Sequence, residues 1–384
     1  MGGVHVLGGL GKGLIAMVTF VPAALLALVV EVSASLFHNP LVLLILLLLA
    51  GALIIVARSF WKRMQKSDAT THGGLSSAVC GRLLHHDFQF KFTKENAMRL
   101  GVAGMMPSDF RAINSEHLAA VRALGLSGVG FHAAGRGLEK VTSGECAQVR
   151  NVFAAAGMDI VQFGIGFADC LFAPEKSARD EVVGVIGRGV EIAKELGAHV
   201  CLIRTGSLSP RGSYFPAAEN HSPESWQRLV ETVRRVADKA EAVRQMVVIE
   251  THLLTILESP EANQRIIAEV GSTRMKVVMD FVNHFPTVMH VYHSMARLNH
   301  IFDLMGPIAG VAHCKDIRFG NGLVLHIDEA IPGEGLLDMS TALRRWHAHD
   351  PNGYMLLEHL PDVQYPLAAA NTIRIAAEAG VEIH

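Results

Sequence analysis

MVVIE (246–250), MKVVMD (275–280), IAGVAH (308–313) and YMLLE (354–358) are four short apolar runs, each stopping at a side chain able to bind a metal: Glu250, Asp280, His313 and Glu358. Runs of this kind, closed by a carboxylate or an imidazole, read as buried parallel strands whose C-terminal ends carry a site. Two glutamates, one aspartate and one histidine meeting at a point make an oxygen-rich cage with a single nitrogen. Such a cage suits one hard or borderline divalent ion: Mn²⁺, Mg²⁺, Co²⁺ or Zn²⁺.

The same rhythm extends outward from these runs. Four further strand-like segments precede them, GVAGMM (101–106), SGVGFHA (127–133), DIVQFGIG (159–166) and HVCLIR (199–204). Helical patterns alternate with all eight, as in SPESWQRLVETVRRVADKAEA from Ser222 and SPEANQRIIAEVG from Ser259. Both open on a serine N-cap followed by Pro and Glu, and several helical patterns close on Gly. Eight β/α units in about 285 residues predict a (β/α)₈ TIM barrel over 97–384 rather than a doubly wound sheet. No G-x-G-x-x-G follows an early strand, so a dinucleotide fold is not indicated. Barrel closure would bring Glu250, Asp280, His313 and Glu358 to one mouth.

The N-terminus is a different material. Before Arg58 the only Asp, Glu, Lys or Arg residues are Lys12 and Glu31. Two 17-residue apolar stretches, Leu14 to Val30 and Leu41 to Ala57, flank the turn-like EVSASLFHNP. Each would span roughly 26 Å as a helix. Arg58, Trp61, Lys62, Arg63 and Lys66 follow the second stretch as a cytoplasmic flank would. Residues 1–63 are therefore expected to be a membrane-anchoring segment or hairpin, 64–96 a linker, and the barrel cytoplasmic. Met64 offers an alternative start, from which the whole product would be cytoplasmic.

Composition narrows the partners. A net charge of −2, with Lys and Arg scattered after residue 67, gives no footprint for nucleic acid and favours a small molecule. The five cysteines, Cys80, Cys146, Cys170, Cys201 and Cys314, lack C-x-x-C spacing and read as reduced and structural. The oligomeric state is left open.

ETH (250–252), DFVNHFP from 280, HCKDI from 313, HIDEAIPGEGLLD from 326 and LLEHLP from 356 together resemble the motif set of the sugar phosphate isomerase/epimerase family, the xylose-isomerase-like barrels. The resemblance covers about residue 97 to the end. It implies that Glu250, Asp280, His313 and Glu358 bind one divalent ion and that Glu250 and Glu358 exchange a carbon-bound proton on opposite faces of a sugar. That chemistry needs a base within hydrogen-bond reach and a Lewis acid on the neighbouring oxygen. The motifs are shared by epimerases, isomerases, inosose dehydratases and endonuclease IV-type nucleases. Asn283, and Ile327–Asp328–Glu329 ahead of Gly-Glu-Gly, stand where the nuclease three-metal cluster needs other ligands. The expectation is a metal-dependent isomerase or epimerase, with a dehydratase or a non-catalytic membrane-tethered sugar binder as alternatives.

Other residues are candidate substrate contacts. His252 shares the side of Glu250, by strand alternation, or serves its loop. Asn283 and His284 follow Asp280, and His284 either contacts substrate or packs. Lys315 either meets a phosphate or hydroxyl or pairs with Asp316. His132 and Arg204 end strands two and four and face the same mouth. Glu334, between two glycines, reads as a loop residue.

Overall fold

The computed structural model of the chain describes residues 97–384. The apolar stretches and the linker lie outside the described residues. Among the described residues no helix is long and apolar enough to cross a membrane.

Eight parallel strands close into a barrel: β1 (Arg99–Ala103), β2 (Gly128–Ala134), β3 (Asp159–Gly166), β4 (Val200–Arg204), β5 (Met246–Glu250), β6 (Met275–Met279), β7 (Ala309–Cys314) and β10 (Tyr354–Glu358). The last pairs with the first, with Ala103 opposite Glu358. Two antiparallel strands, β8 (Asp316–Phe319) and β9 (Ile327–Ala330), form a hairpin between β7 and the helix before β10.

The connecting helices are α1 (Ser115–Arg122), α2 (Ser143–Ala156), α3 (Lys176–Leu196), α4 (Pro223–Val243), α5 (Pro260–Val270), α6 (Val288–Tyr292), α7 (Ser294–Met305), α8 (Met339–His349) and α9 (Tyr365–Glu378). Their ends follow the chemistry read from the sequence. The Ser222 and Ser259 hydroxyls accept the backbone N–H groups of Ser225 and Ala262, with proline in the first turn. Thr142 and Glu145 form a capping box on α2, and Gly157, Gly197 and Gly271 stop helices in the left-handed conformation.

Two apolar layers hold the barrel. Val161, Val200, Leu202, Val248, Val278, Val311, Tyr354 and Leu356 fill its interior, while the outward faces of the strands pack on the helices. Burying an aliphatic side chain of this size contributes about 1.5–3 kcal/mol. Cys314 points outward to Thr372 of α9, 3.8 Å away, opposite in sense to His313, as strand alternation requires. Cys146, Cys170, Cys201 and Cys314 are all unpaired.

The observed strands follow the sequence closely, with two departures. β1 ends at Ala103 rather than continuing to Met106. Tyr365 of α9 donates its hydroxyl to the Ala103 carbonyl at 3.3 Å, against the open face of Gly104, and Met105 then turns to φ 59°. The β8–β9 hairpin was not expected, because HIDEAIPGEGLLD carries no apolar run of strand length. The Asp316 carboxylate holds its base, accepting the N–H groups of Ile317, Gly333, Gly335 and Leu337 at 2.8–3.1 Å. A Cβ on Gly335 would lie 2.2 Å from that carboxylate, which is why the turn reads PGEG.

Candidate metal centre

Barrel closure brings the four strand ends together. One ligand atom each from Glu250, Asp280, His313 and Glu358 lies within 4.8 Å of the others, and all four side chains are buried. His313 Nδ1 sits 2.8 Å from Glu358 Oε1 and 3.6 Å from both Glu250 Oε1 and Asp280 Oδ2. Its other nitrogen, Nε2, is 2.9 Å from Gln162 Oε1 on the diametrically opposite strand β3. Gln162 accepts the Nε2–H and so turns Nδ1 toward the carboxylates, the arrangement that orients a ligating histidine.

Two cations are built against the cage. The β4–β5 register sets Arg204 beside Glu250, and Arg204 Nε donates to Glu250 Oε2 at 2.5 Å. Lys315 Nζ lies 2.7 Å from Asp280 Oδ2 and 2.6 Å from Glu358 Oε1, nearly fully buried. It does not pair with Asp316, whose carboxylate is committed to the loop backbone.

The electrostatics follow from this crowding. Burial opposes charge on every member, yet opposite charges win. The nearby charges of His313 and Arg204 bring Glu250 down to about 2 against that burial. His313 and Lys315 hold Glu358 well below the usual carboxylate range. Glu358 in turn raises His313 well above its ordinary value, and Asp280 and Glu358 do the same for Lys315. Without a metal, Arg204, Lys315 and a protonated His313 balance Glu250 and Glu358.

The donor set fits a divalent ion. His313 Nδ1, Asp280 Oδ1 and Glu358 Oε1 are buried without a hydrogen-bond partner of good geometry, the condition that a bound cation relieves. Three carboxylates and one imidazole favour Mg²⁺, Mn²⁺, Co²⁺ or Zn²⁺ over softer ions.

A cavity of about 390 Å³ opens onto the cage, lined by Arg204, Tyr214, Glu250, His252, Asn283, Glu329 and His359. His252 faces it, its Nδ1 accepting the Leu254 N–H at 3.3 Å, and burial lowers its pKa. Asn283 donates to Asp280 Oδ2 at 2.8 Å and to the Thr251 carbonyl at 3.1 Å, so it orients the Asp280 carboxylate as well as edging the cavity. His284 is placed elsewhere. It is fully buried, 3.2 Å from Thr251 Oγ1 and 3.4 Å from Asn263 Nδ2, with burial lowering its pKa to about 4, and it packs rather than meeting the cavity. His132 reaches the far side of the mouth. Its Nε2 is buried without a partner beside a hollow of about 360 Å³, and burial, then the charge of Arg204, lowers its pKa to about 4. Glu334 is exposed in its loop. A larger hollow of about 580 Å³ lies at the starts of α4 and α5 and touches none of the four clustered side chains.

Three residues around the cage were not singled out from the sequence. Gln162 was hidden within an apolar strand, although a lone amide in DIVQFGIG is a usable signal. Glu329 arrives on β9, and its Oε1 lies 2.9 Å from His359 Nδ1 and 3.6 Å from Lys315 Nζ. His359 takes a left-handed φ of 58°, turning its ring back to Glu329, whose hydrogen bond raises its pKa.

Residues 118–379 match the family model for the xylose isomerase-like TIM barrel, and the chain belongs to that family. No curated protein matches. Among solved structures, D-psicose 3-epimerase with D-tagatose from Clostridium cellulolyticum H10 is similar at a TM-score of 0.54 and 15% identity, covering 74% of this chain and 100% of its own. A xylose isomerase-like TIM barrel protein from Mycobacterium smegmatis in complex with magnesium gives 0.55 and 14%, covering 74% and 97%. The probable 3-DHS dehydratase AsbF from Bacillus anthracis, involved in petrobactin synthesis, gives 0.53 and 14%, covering 72% and 97%. These identities establish likeness of fold.

Proposed function

We propose that the chain is a divalent-metal-dependent isomerase or epimerase that moves a carbon-bound proton on a small sugar, sugar phosphate or related hydroxycarbonyl compound. The observation that carries this reading is the pair Glu250 and Glu358, both held ionised on barrel strands separated by two others, with Glu250 and His359, the residue after Glu358, lining the same cavity. A base must be unprotonated and within reach of the C–H bond, and a positioned one contributes roughly 10²–10⁴ in rate. A divalent ion held by Glu250, Asp280, His313 and Glu358 would supply Lewis-acid polarisation of the substrate oxygen. Gln162 fixes the His313 ring, Asn283 steers Asp280, and Arg204 and Lys315 fix the carboxylates of Glu250 and Glu358. Arg204, His252 and His359 line the cavity where substrate oxygens would bind. The D-psicose 3-epimerase neighbour supports the substrate class.

A dehydratase is the second reading. It is favoured by a proton donor beside the same cage: His359 lines the cavity with its pKa raised by Glu329, and its Nδ1 is 3.4 Å from Lys315 Nζ, so a leaving hydroxyl could be protonated there. The AsbF neighbour supports it.

The test is solvent-deuterium exchange into a panel of ketoses by the metal-loaded chain. Label without loss of water supports the epimerase, loss of a hydroxyl the dehydratase, and neither supports a binder. Glu358→Gln preserves volume and should abolish exchange at saturating metal. Exchange persisting near the wild-type rate would overturn the two-glutamate reading.

A further inference from the structure

The β8–β9 hairpin carries Glu329 at its base, but its tip has no role in the cage. Residues 320–326, GNGLVLH, cross between the strands. Leu323 is wholly exposed, Val324 is 73% exposed and Leu325 51%. Three consecutive aliphatic side chains in water at a loop tip are not packing residues, and such runs mark contact surfaces. Phe319, at the end of β8, stacks edge-on against Tyr292 of α6 at 5.7 Å. Tyr292, Met289 and Met295 are themselves more than half exposed, so apolar surface continues from the hairpin onto α6 and the start of α7.

We propose that this hairpin tip is a contact for a lipid bilayer, with Leu323, Val324 and Leu325 entering the acyl boundary. The chain that precedes the barrel points to this occupant, given the expectation that residues 1–63 anchor in a membrane. LVLLILLLLAGALIIVA and its basic flank end at Lys66, and residues 67–96 lead to the barrel. Thirty or so residues reach roughly 100 Å when extended, far enough for the mouth face to meet the surface that holds the anchor. A tether keeps the barrel at high effective concentration beside the bilayer, so weak partitioning of three side chains suffices for contact. Tyr292, against which Phe319 stacks, is of the amphipathic aromatic type that settles at the headgroup level, and exposed Arg318 is placed to meet lipid phosphate. The contact would bring the mouth of the barrel to the membrane surface.

The experiment uses the full chain carrying V324W, reconstituted in phosphatidylcholine/phosphatidylserine vesicles with and without brominated acyl chains. The wild-type signal is subtracted to remove Trp61, Trp226 and Trp346. The expected result is that protein floats with the vesicles, that the added tryptophan emits to the blue, and that bromine quenches it while aqueous acrylamide does not. Three outcomes overturn the proposal. Protein absent from the vesicle fraction removes the anchor as well. Floating protein whose added tryptophan stays open to acrylamide leaves the anchor and removes the tip contact. Shielding from both quenchers that grows with protein per vesicle assigns the tip to a second copy of the chain.

Discussion

Replacing Gln162 by leucine tests whether the cage is a metal centre and not a buried ion cluster. Gln162 and His313 are each at most 1% exposed, and the 2.9 Å contact between them spans the barrel, so no bulk water can replace it. In Q162L the Nε2–H of His313 loses its acceptor, at a cost of about 1–3 kcal/mol for an unsatisfied buried donor. The ring is also released from the tautomer that offers Nδ1 to the carboxylates. Loss of such an orienting partner lowers metal affinity about 10- to 100-fold, equivalent to roughly 1.4–2.7 kcal/mol. The measurement is Mn²⁺ titration by calorimetry on wild type and Q162L, with circular dichroism confirming that the metal-free fold persists. A variant that keeps its fold and binds Mn²⁺ as tightly as wild type would refute the assignment of Nδ1 as a ligand.

Further outcomes follow from the same centre and from the hairpin base. In the metal-free chain His313 has a raised pKa, so its contribution to stability is complete below the unfolded value of about 6.5 and is lost as pH rises through the higher folded value. The ion must displace that proton, so apparent affinity should rise about tenfold per pH unit across this window, with one proton released in calorimetry; flat affinity would exclude ligation by His313. Lys315→Met removes an ammonium within 2.7 Å of two ligand carboxylates, and should tighten divalent binding by about tenfold or more while lowering turnover; weaker binding would show that Lys315 orders the cage rather than competing with the ion. Gly335→Ala places a methyl 2.2 Å from the Asp316 carboxylate and should lower stability by about 1–3 kcal/mol in urea unfolding, with an unchanged midpoint counting against the loop reading.

The eight strands and most of the helices were legible because the signals are local. MVVIE and YMLLE are continuously apolar since both faces of a barrel strand are buried, and Ser222-Pro223-Glu224 caps α4 without help from elsewhere in the chain. Glu250, Asp280, His313 and Glu358 were legible for the same reason: the strand pattern fixes where each run stops, and barrel topology alone puts those ends at one mouth.

Tertiary structure decided what the neighbours of these residues do. His284 and Asn283 are adjacent in sequence, yet one packs against Thr251 and the other holds Asp280, because a single turn of backbone points them apart. Lys315 could have met Asp316; it bridges Asp280 and Glu358 because the PGEG loop claims Asp316 with four backbone N–H groups. Gln162 and His313 stand 151 positions apart and touch across the barrel interior, and Glu329 depends on a hairpin with no apolar strand pattern. Periodicity records which face of an element is buried, and so it determined the barrel and the four candidate metal ligands at its mouth. Which polar group finds which partner inside a water-free interior depends on competition among distant groups, and only the closed fold decides it.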